Sequence, residues 1–231
     1  MAELTHSRLG SGRGKVVVIP NWADLELIEP RAKKGNVLLR DLGWEEAFVV
    51  LYAGNIGRTH DVETVARAAA MLRERGDIKF LFVGFGARKV WLEDYCGREK
   101  LSHVRILSAM NRERQPEFLT GCDVGLIALR RGMAGVSVPS RLYNQIAAGR
   151  PIIAVADAAS DVSQVVAEEG IGWRVDPGDA GGLAAAVVEA AADPAACREM
   201  WRRARAAVEA KYGFPRCAGA YRTLFRGILG R

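Results

Sequence analysis

Short runs of β-branched and other apolar residues recur along the chain, separated by segments with helical spacing. The runs predict seven strands, at residues 16–19, 48–52, 80–83, 104–107, 124–128, 152–155 and 172–175. Between most of them apolar residues repeat every three or four positions, as in Val62, Val65, Ala69 and Leu72. That repeat is typical of a helix with one buried face. Strand and helix therefore alternate.

Several predicted strands lack the alternation of apolar and polar residues that marks a half-exposed strand. The run from Val49 to Gly54 contains no charged residue, as expected for a strand covered by helices on both faces. The pattern predicts an α/β protein with a doubly wound, Rossmann-like parallel sheet and helices at the C-terminal end. In such sheets ligands bind outside the carboxyl ends of the strands, so the loops that follow the strands are the candidate sites.

The two ends of the chain differ from its middle. Residues 1–14 are polar and rich in Gly and Ser, and we interpret them as the remnant of an upstream helix and its connector. Residues 15–231 are predicted to form one domain. Within it, residues 194–231 carry two helical patterns separated by Tyr212-Gly213-Phe214-Pro215, a helix-breaking sequence.

Composition narrows the possible partners and the environment. The 231 residues carry a formal net charge of +6, which favours an anionic partner: nucleic acid, an anionic membrane surface or a phosphorylated small molecule. The apolar stretches are far shorter than the roughly 20 residues that span a bilayer, and no signal-peptide pattern begins the chain. We therefore expect a cytoplasmic protein, with peripheral contact at the inner face of the membrane as an alternative.

Four widely spaced cysteines, at positions 96, 122, 197 and 217, form no cluster with histidine. Neither a zinc site nor a disulfide framework is indicated, and the four are interpreted as buried thiols. We expect no metal and no cofactor.

The loop at residues 52–61 follows a predicted strand and leads into a helix beginning near Val62. Gly54 and Gly57 permit a tight turn, Asp61 can cap the helix, and Arg58 can reach a phosphate. The alternative is an ordinary strand-to-helix turn, which the loop alone favours. His60 is interpreted as a solvated or capping residue.

A second loop, at residues 84–88, contains Gly84 and Gly86. It resembles part of a dinucleotide-binding fingerprint but lacks the third glycine and the acidic residue that should follow. The evidence for NAD binding is weak, and these glycines are better explained as opening the floor of a cleft.

A third loop, at residues 132–151, carries the most information. Ser137 is a candidate N-cap and Pro139 an early helical residue. Gly149 ends the predicted helix and Pro151 opens the next strand. Free backbone N–H groups, serine hydroxyls and the Arg141 guanidinium would suit a diphosphate. A plain capped helix with an exposed arginine is the alternative.

Together these loops resemble a known family. Its motifs occur here in order: Ile19-Pro20-Asn21-Trp22-Ala23-Asp24, Tyr52-Ala53-Gly54-Asn55-Ile56-Gly57-Arg58, Phe82-Val83-Gly84-Phe85-Gly86, Val138-Pro139-Ser140-Arg141-Leu142-Tyr143 and Ala147-Ala148-Gly149-Arg150-Pro151. From Lys15 onward the chain is similar to the C-terminal domain of retaining glycosyltransferases of family 4, with the GT-B architecture, and in particular to their bacterial exopolysaccharide and lipopolysaccharide branch.

The resemblance implies the nucleotide-sugar-binding half of an enzyme that moves a sugar from a nucleoside diphosphate, most plausibly UDP, to a lipid-linked or oligosaccharide acceptor with retention. It implies metal-independent catalysis, backbone contacts to the base near Ser108, Ala109 and Met110, and no nucleic-acid partner. The N-terminal acceptor domain would be mostly absent, so the chain is expected to be truncated or one half of a split enzyme, and inactive alone.

The chain departs from the family pattern at two glutamates seven residues apart, where Val136 and Asn144 stand, and at a basic pair, where Asn55 and His60 stand. Asn144 can still hydrogen-bond a ribose. No catalytic residue is assigned. The predicted donor-binding residues are Gly57, Arg58, Gly84, Met110, Ser137, Val138, Pro139, Ser140, Arg141 and Asn144. The alternative functions are a non-catalytic or split-enzyme nucleotide-binding module and, less well supported, an NAD-dependent oxidoreductase.

Overall fold

The fold is described from a computed structural model, which defines residues 5, 6 and 9 and the continuous stretch 16–230. The predicted connector at residues 1–14 therefore lies outside the described residues except at those three positions.

Six strands form one parallel sheet. They are β1 (Phe48–Asn55), β2 (Ile78–Phe85), β3 (Val104–Leu107), β4 (Val124–Ala128), β5 (Ile152–Val155) and β6 (Gly172–Val175). Their order is β3-β2-β1-β4-β5-β6, and every neighbouring pair is parallel. The chain starts in the middle of the sheet, builds outward to β3, and returns to build the other half. This order confirms the predicted doubly wound α/β fold.

Helices cover both faces of the sheet. They are α1 (Val37–Leu42), α2 (Val62–Met71), α3 (Lys89–Arg98), α4 (Gln115–Gly121), α5 (Arg141–Ala147), α6 (Asp161–Glu169), α7 (Ala180–Ala192), α8 (Pro194–Ala207) and α9 (Phe214–Leu229). A 3-10 turn (Arg112–Arg114) precedes α4, and a π-helical turn (Val208–Tyr212) links α8 to α9. Helices α2, α3 and α7 pack on one face, and α1, α4, α5, α6 and α8 on the other.

The central strand shows why the sheet needs helices on both sides. Along β1, Val49 and Leu51 join one hydrophobic cluster, while Val50 and Tyr52 join the cluster on the opposite face. All four side chains are at most 1% exposed. Because successive side chains of a strand point to opposite faces, a strand that is apolar at every position is stable only between two layers.

The prediction of a strand at residues 16–19 was wrong. This segment has no strand conformation, and Val17 and Val18 are 56% and 64% exposed. The backbone that follows pairs elsewhere: Ala23 N–H donates to the Tyr212 carbonyl over 2.9 Å, and Phe214 N–H donates back to Ala23. A β-branched run reports strand propensity, but a strand also needs an edge to pair with.

The end of α5 is fixed by a glycine packed under an indole. Gly149 has φ +74°, and a Cβ there would overlap the indole nitrogen of Trp201. The next residue, Arg150, is 5% exposed, lies over the Trp201 ring at 4.9 Å and donates to the carbonyls of Leu119 and Arg31. Gly149 therefore ends the helix, as predicted, and Trp201 is a packing residue.

We predict that Gly149→Ala destabilises the protein by roughly 1–3 kcal/mol, because it combines a strained positive φ with overpacking against Trp201. The free energy of unfolding from urea titration measures the effect. Gly219→Ala is the matched control: it lies inside α9 with nothing within 4 Å of its Cβ position, so alanine there should be neutral or slightly stabilising. Equal effects of the two substitutions would contradict this account of the helix end.

Candidate functional site

A pocket of about 220 Å³ lies at the carboxyl ends of β1 and β2. Its floor contains Gly54 and Gly84, which face each other in the strand register. The loop after β3 and helices α4 and α5 supply the walls. The strand order reverses between β1 and β4, so the pocket is at the switch point where doubly wound sheets bind ligands.

The two glycines of the second loop, Gly84 and Gly86, allow close backbone approach. A Cβ at Gly84 would overlap the carbonyl oxygen of Gly54, and a Cβ at Gly86 would overlap that of Ile56. These contacts explain the glycines without a bound dinucleotide. Gly84 lies in the floor of the pocket and Gly86 lies outside its lining, so the prediction of a cleft floor fits Gly84 alone.

Arg141 is the most unusual side chain of the pocket. It begins α5 and extends to Gly54, where a Cβ would be 3.2 Å from the Arg141 Cδ and Nη1 atoms. Its guanidinium carbon lies 4.6 Å from the centre of the Tyr52 ring. Among the described residues none accepts a hydrogen bond of normal geometry from its three buried nitrogens. The guanidinium is nevertheless close enough to the Tyr52 hydroxyl to oppose the rise in the pKa of Tyr52 that burial causes. A buried cation without an anion is costly, so this geometry favours an anionic ligand.

His60 is buried, so its interpretation as a solvated residue was wrong. It is 8% exposed and packs edge-on against Tyr52, with ring centres 6.5 Å apart. Burial, reinforced by the positive charge of Arg141, lowers the pKa of His60 to about 4. The imidazole is therefore neutral at pH 7, and it adds no charge for a phosphate.

A shared carboxylate ties together the loops around the pocket. Glu63, in the first turn of α2, accepts hydrogen bonds from Arg88 after β2 and from Arg130 after β4, the latter over 2.6 Å. Its side chain is 14% exposed. One negative charge facing two arginines leaves this group of three side chains with a net positive charge, which suits anions.

The cap predicted for α2 is present. Asp61 accepts from the backbone and hydroxyl of Thr64 and from the N–H of Gly178, over 3.3, 2.7 and 2.9 Å. Its hydrogen bonds join the first loop to the loop after β6, so Asp61 has a structural role.

Comparison with known proteins then identifies the domain. Residues 38–207, more than half of the chain, match the family described as Glycosyl transferases group 1. The chain belongs to the group 1 glycosyl transferases. The family inferred from the motifs is confirmed.

Two curated glycosyl transferases are similar in sequence. The chain is 31% identical over 179 residues to the probable glycosyltransferase WbjE of Pseudomonas aeruginosa, covering 75% of this chain and 43% of that protein. It is 29% identical over 185 residues to the putative colanic acid biosynthesis glycosyl transferase WcaI of Escherichia coli (strain K12), covering 78% and 45%. The matched region thus spans less than half of each relative.

The crystal structure of HepE from Anabaena in complex with UDP-glucose has the same fold. The TM-score is 0.81 at 16% sequence identity, with 99% of this chain and 61% of that chain covered. At this identity the likeness concerns the fold alone.

The structure brings together four of the predicted donor-binding residues: Gly84, Met110, Arg141 and Asn144 all line the pocket. The others lie outside its lining. Gly57 is buried beside the Asn55 side chain, and Arg58 is exposed in the turn after β1.

The loop before α5 differs from its predicted form. The helix begins at Arg141, so Ser137 is not the N-cap and Pro139 is not helical; Ser140 is at the cap position without a side-chain capping bond. The loop turns earlier, with the N–H of Ser137 bonded to the Met133 carbonyl. Ser137 and Pro139 are half-buried and Ser140 is exposed, while Val138 lines a second pocket, of about 290 Å³, with Ile19 and Pro20.

Sequence reasoning missed Gln145, a fully buried glutamine in the pocket wall. A signal was available: Gln145 is three residues after Leu142 and adjacent to Ile146, so helical spacing places it on the buried side of α5. Glu63 had no comparable signal, because its partners are distant in sequence.

Over the described part of the chain, no group of three or more His, Cys, Asp or Glu side chains has a geometry that could hold a metal ion. In the same part, every helix is too short or too polar to cross a bilayer. The four cysteines are free; Cys122 and Cys217 are buried, and Cys96 and Cys197 are only partly so.

The burial of His60 predicts a pH dependence of stability. Its pKa is about 4 in the folded protein and 6.5 in the unfolded chain, so the unfolded state binds more protons between these values. Stability is therefore lost as pH falls from about 6.5 to 4. In His60→Gln this part of the slope should disappear. Thermal unfolding of both proteins across this range tests it, and parallel curves would contradict it.

Proposed function

We propose that this domain binds a nucleoside diphosphate sugar, with UDP as the nucleotide, and supplies the donor half of a sugar transfer. The observation that carries the proposal is the unpaired guanidinium of Arg141 in a pocket at the sheet's switch point. Membership of the group 1 family and a shared fold with HepE, whose structure contains UDP-glucose, support it.

Arg141 would act on the diphosphate. During transfer, the bond between the anomeric carbon and the diphosphate oxygen breaks, the electron pair stays on that oxygen, and the carbon bonds to an acceptor hydroxyl oxygen, whose proton is lost. Negative charge develops on the leaving group, where a preorganised cation in a pocket shielded from water is most effective. Arg58, exposed in the neighbouring turn, is the second cation assigned to this charge.

The rest of the nucleotide would lie along the pocket wall. Phe118 and Leu119 of α4 provide an apolar surface for the base, beside the backbone of Met110. Asn144, one turn after Arg141 on α5, lines the same pocket, and its amide would hydrogen-bond a ribose hydroxyl. We assign no metal or cofactor to the reaction.

The acceptor side is inferred from the relatives. WbjE and WcaI are more than twice as long as the regions that match, so we propose that the complete enzyme includes an acceptor domain, in this chain's natural protein or in another chain. WcaI is named for colanic acid biosynthesis, which supports a lipid-linked or oligosaccharide acceptor. Retention at the anomeric carbon, and contact with the inner membrane face during transfer, are part of this proposal.

A second candidate is a nucleotide-binding module without catalysis. Two observations favour it: Val136 is 68% exposed, and the described residues that line the pocket include Asn144 but no carboxylate. Sugar transfer by the complete protein would separate the two functions, since a non-catalytic module binds UDP without turnover.

Thermal unfolding with UDP, GDP, ADP or NAD at equal concentration tests the nucleotide, because a ligand stabilises the state that binds it. We expect UDP to raise the melting temperature most.

In Arg141→Ala, UDP binding measured by calorimetry should weaken by about 1.5–3 kcal/mol, the range for hydrogen bonds to charged groups.

Uridine, which has no phosphates, should bind equally well to the unmodified chain and to Arg141→Ala. Arg202→Ala is the matched control, since Arg202 is 75% exposed on α8 and paired with Glu199. If uridine and UDP lose the same affinity in Arg141→Ala, the guanidinium does not contact the diphosphate.

Asn144→Glu tests the ribose contact. A carboxylate is a stronger acceptor for two ribose hydroxyls than an amide oxygen, so UDP binding should tighten by about 1 kcal/mol. Repulsion between the carboxylate and the diphosphate opposes the gain, and Arg141 offsets it. The gain should vanish for 2′,3′-dideoxyuridine diphosphate, which lacks both hydroxyls. The same gain with this analogue, or none with UDP, would show that Asn144 does not face the ribose.

A further inference from the structure

Gln145 leaves both polar atoms of its side chain unused. The residue is 0% exposed, and neither Oε1 nor Nε2 has a hydrogen-bond partner among the described residues. It nevertheless forms part of the pocket wall, next to Asn144. Buried amides are normally hydrogen-bonded, because an unpaired buried donor or acceptor loses its hydration without compensation.

A glycine in the neighbouring strand leaves space for this amide. Gly125 in β4 lies against it, and a Cβ at Gly125 would overlap the Gln145 carboxamide. Gly125 pairs with Leu51 on one side and Ile152 on the other, in the apolar centre of the sheet. A leucine at position 145 would fit such surroundings better than an unpaired amide. The amide therefore costs stability in the ligand-free protein.

We propose that Gln145 recognises the base of the donor nucleotide by pairing with the imide edge of uracil. The amide oxygen accepts from N3–H and the amide N–H donates to O4. This assignment rests on the proposed function, because it takes the pocket to be the nucleotide site. A change of side-chain rotamer would carry the amide from Gly125 toward the base, and the last side-chain torsion, which is soft in glutamine, then sets which of its atoms faces N3–H.

The order of groups along α5 matches the order of groups in the nucleotide. Arg141 begins the helix beside Gly54, and Asn144 and Gln145 follow one turn later, about 6 Å along the axis. The phosphates, ribose and base of a uridine nucleotide follow one another in the same sequence. Phe118 and Leu119, on the facing helix, are buried apolar side chains suited to a flat ring.

The uracil contact also sets an expectation for cytosine. The amide can turn over and pair with the N3 and N4 atoms of cytosine, so this contact alone does not separate UDP from CDP. A carboxylate only accepts hydrogen bonds. In Gln145→Glu the carboxylate accepts from uracil N3–H but faces O4, and it accepts from the cytosine amino group but faces N3. Both ligands should therefore bind this variant more weakly than they bind the unmodified chain.

The experiment measures UDP and CDP binding by calorimetry, and ligand-free thermal unfolding, for the unmodified chain, Gln145→Leu and Gln145→Glu. In Gln145→Leu the melting temperature should stay the same or rise, while UDP binding weakens by about tenfold. Gln164→Leu, on α6 and outside this pocket, is the matched control. A lower melting temperature of Gln145→Leu with unchanged UDP affinity would show a purely structural role and overturn the proposal.

A modified ligand tests the same contact without changing the protein. 3-Methyluridine diphosphate has no N3–H, so it should bind the unmodified chain more weakly than UDP. In Gln145→Leu the two ligands should bind more nearly alike, because the contact is already gone. If the loss of binding free energy caused by the 3-methyl group and the loss caused by Gln145→Leu simply add, the proposal is overturned. Failure of the unmodified chain to bind UDP would remove the proposed function as well, whereas UDP binding that is insensitive to Gln145 would remove this inference alone.

Discussion

The path of Arg141 across the end of β1 is the constraint on which the site depends. Gly54 carries no side chain, and a Cβ there would be 3.2 Å from two atoms of the arginine that stacks on Tyr52. A larger residue at position 54 would crowd the guanidinium and would be strained at φ +128°. The cation in turn helps to keep His60 neutral.

A second polar side chain of α5 is also accommodated by a glycine. Gly125 makes room for the Gln145 amide in the way that Gly54 makes room for Arg141. Neither side chain has a hydrogen-bond partner among the residues that the structure describes, and both belong to a seven-residue helix. These unpaired polar groups lower the local stability, but they are already positioned for a ligand, as expected of a binding site.

Much of the fold was predictable because strand burial leaves a clear pattern. The predicted bounds of β3, β4, β5 and β6 coincide with those observed. β1 and β2 run past their predicted C-terminal ends through Gly54 and Gly84, residues that lower strand propensity although the parallel pairing continues through them. β2 also begins two residues earlier than predicted, at Ile78, because Ile78 and Lys79 pair with the start of β1. The strand prediction at residues 16–19 failed for the opposite reason, since these residues have strand propensity but pair with no strand of the sheet.

The site was less predictable because its contacts join residues far apart in the chain. Residue type and loop position were enough to select Arg141, whereas Asn144 was selected through the family resemblance. Nothing local indicated that Arg141 would lie against Tyr52, or that helix α5 would start after Ser140 instead of near Pro139. The position of Arg141 and the start of α5 depend on how closely two strands and a helix pack. Residues far apart in the sequence set that distance, so no single segment of the chain predicts it.

The carboxylate of Glu63 has a consequence for how this domain can diverge. It serves Arg88 and Arg130, so one oxygen connects the loops of three adjacent strands, β2, β1 and β4. A neutral residue at position 63 would leave two guanidinium groups facing each other with nothing between them. Substitutions at positions 63, 88 and 130 are therefore expected to depend on one another, because losing the carboxylate costs less stability when one of the two arginines is also lost.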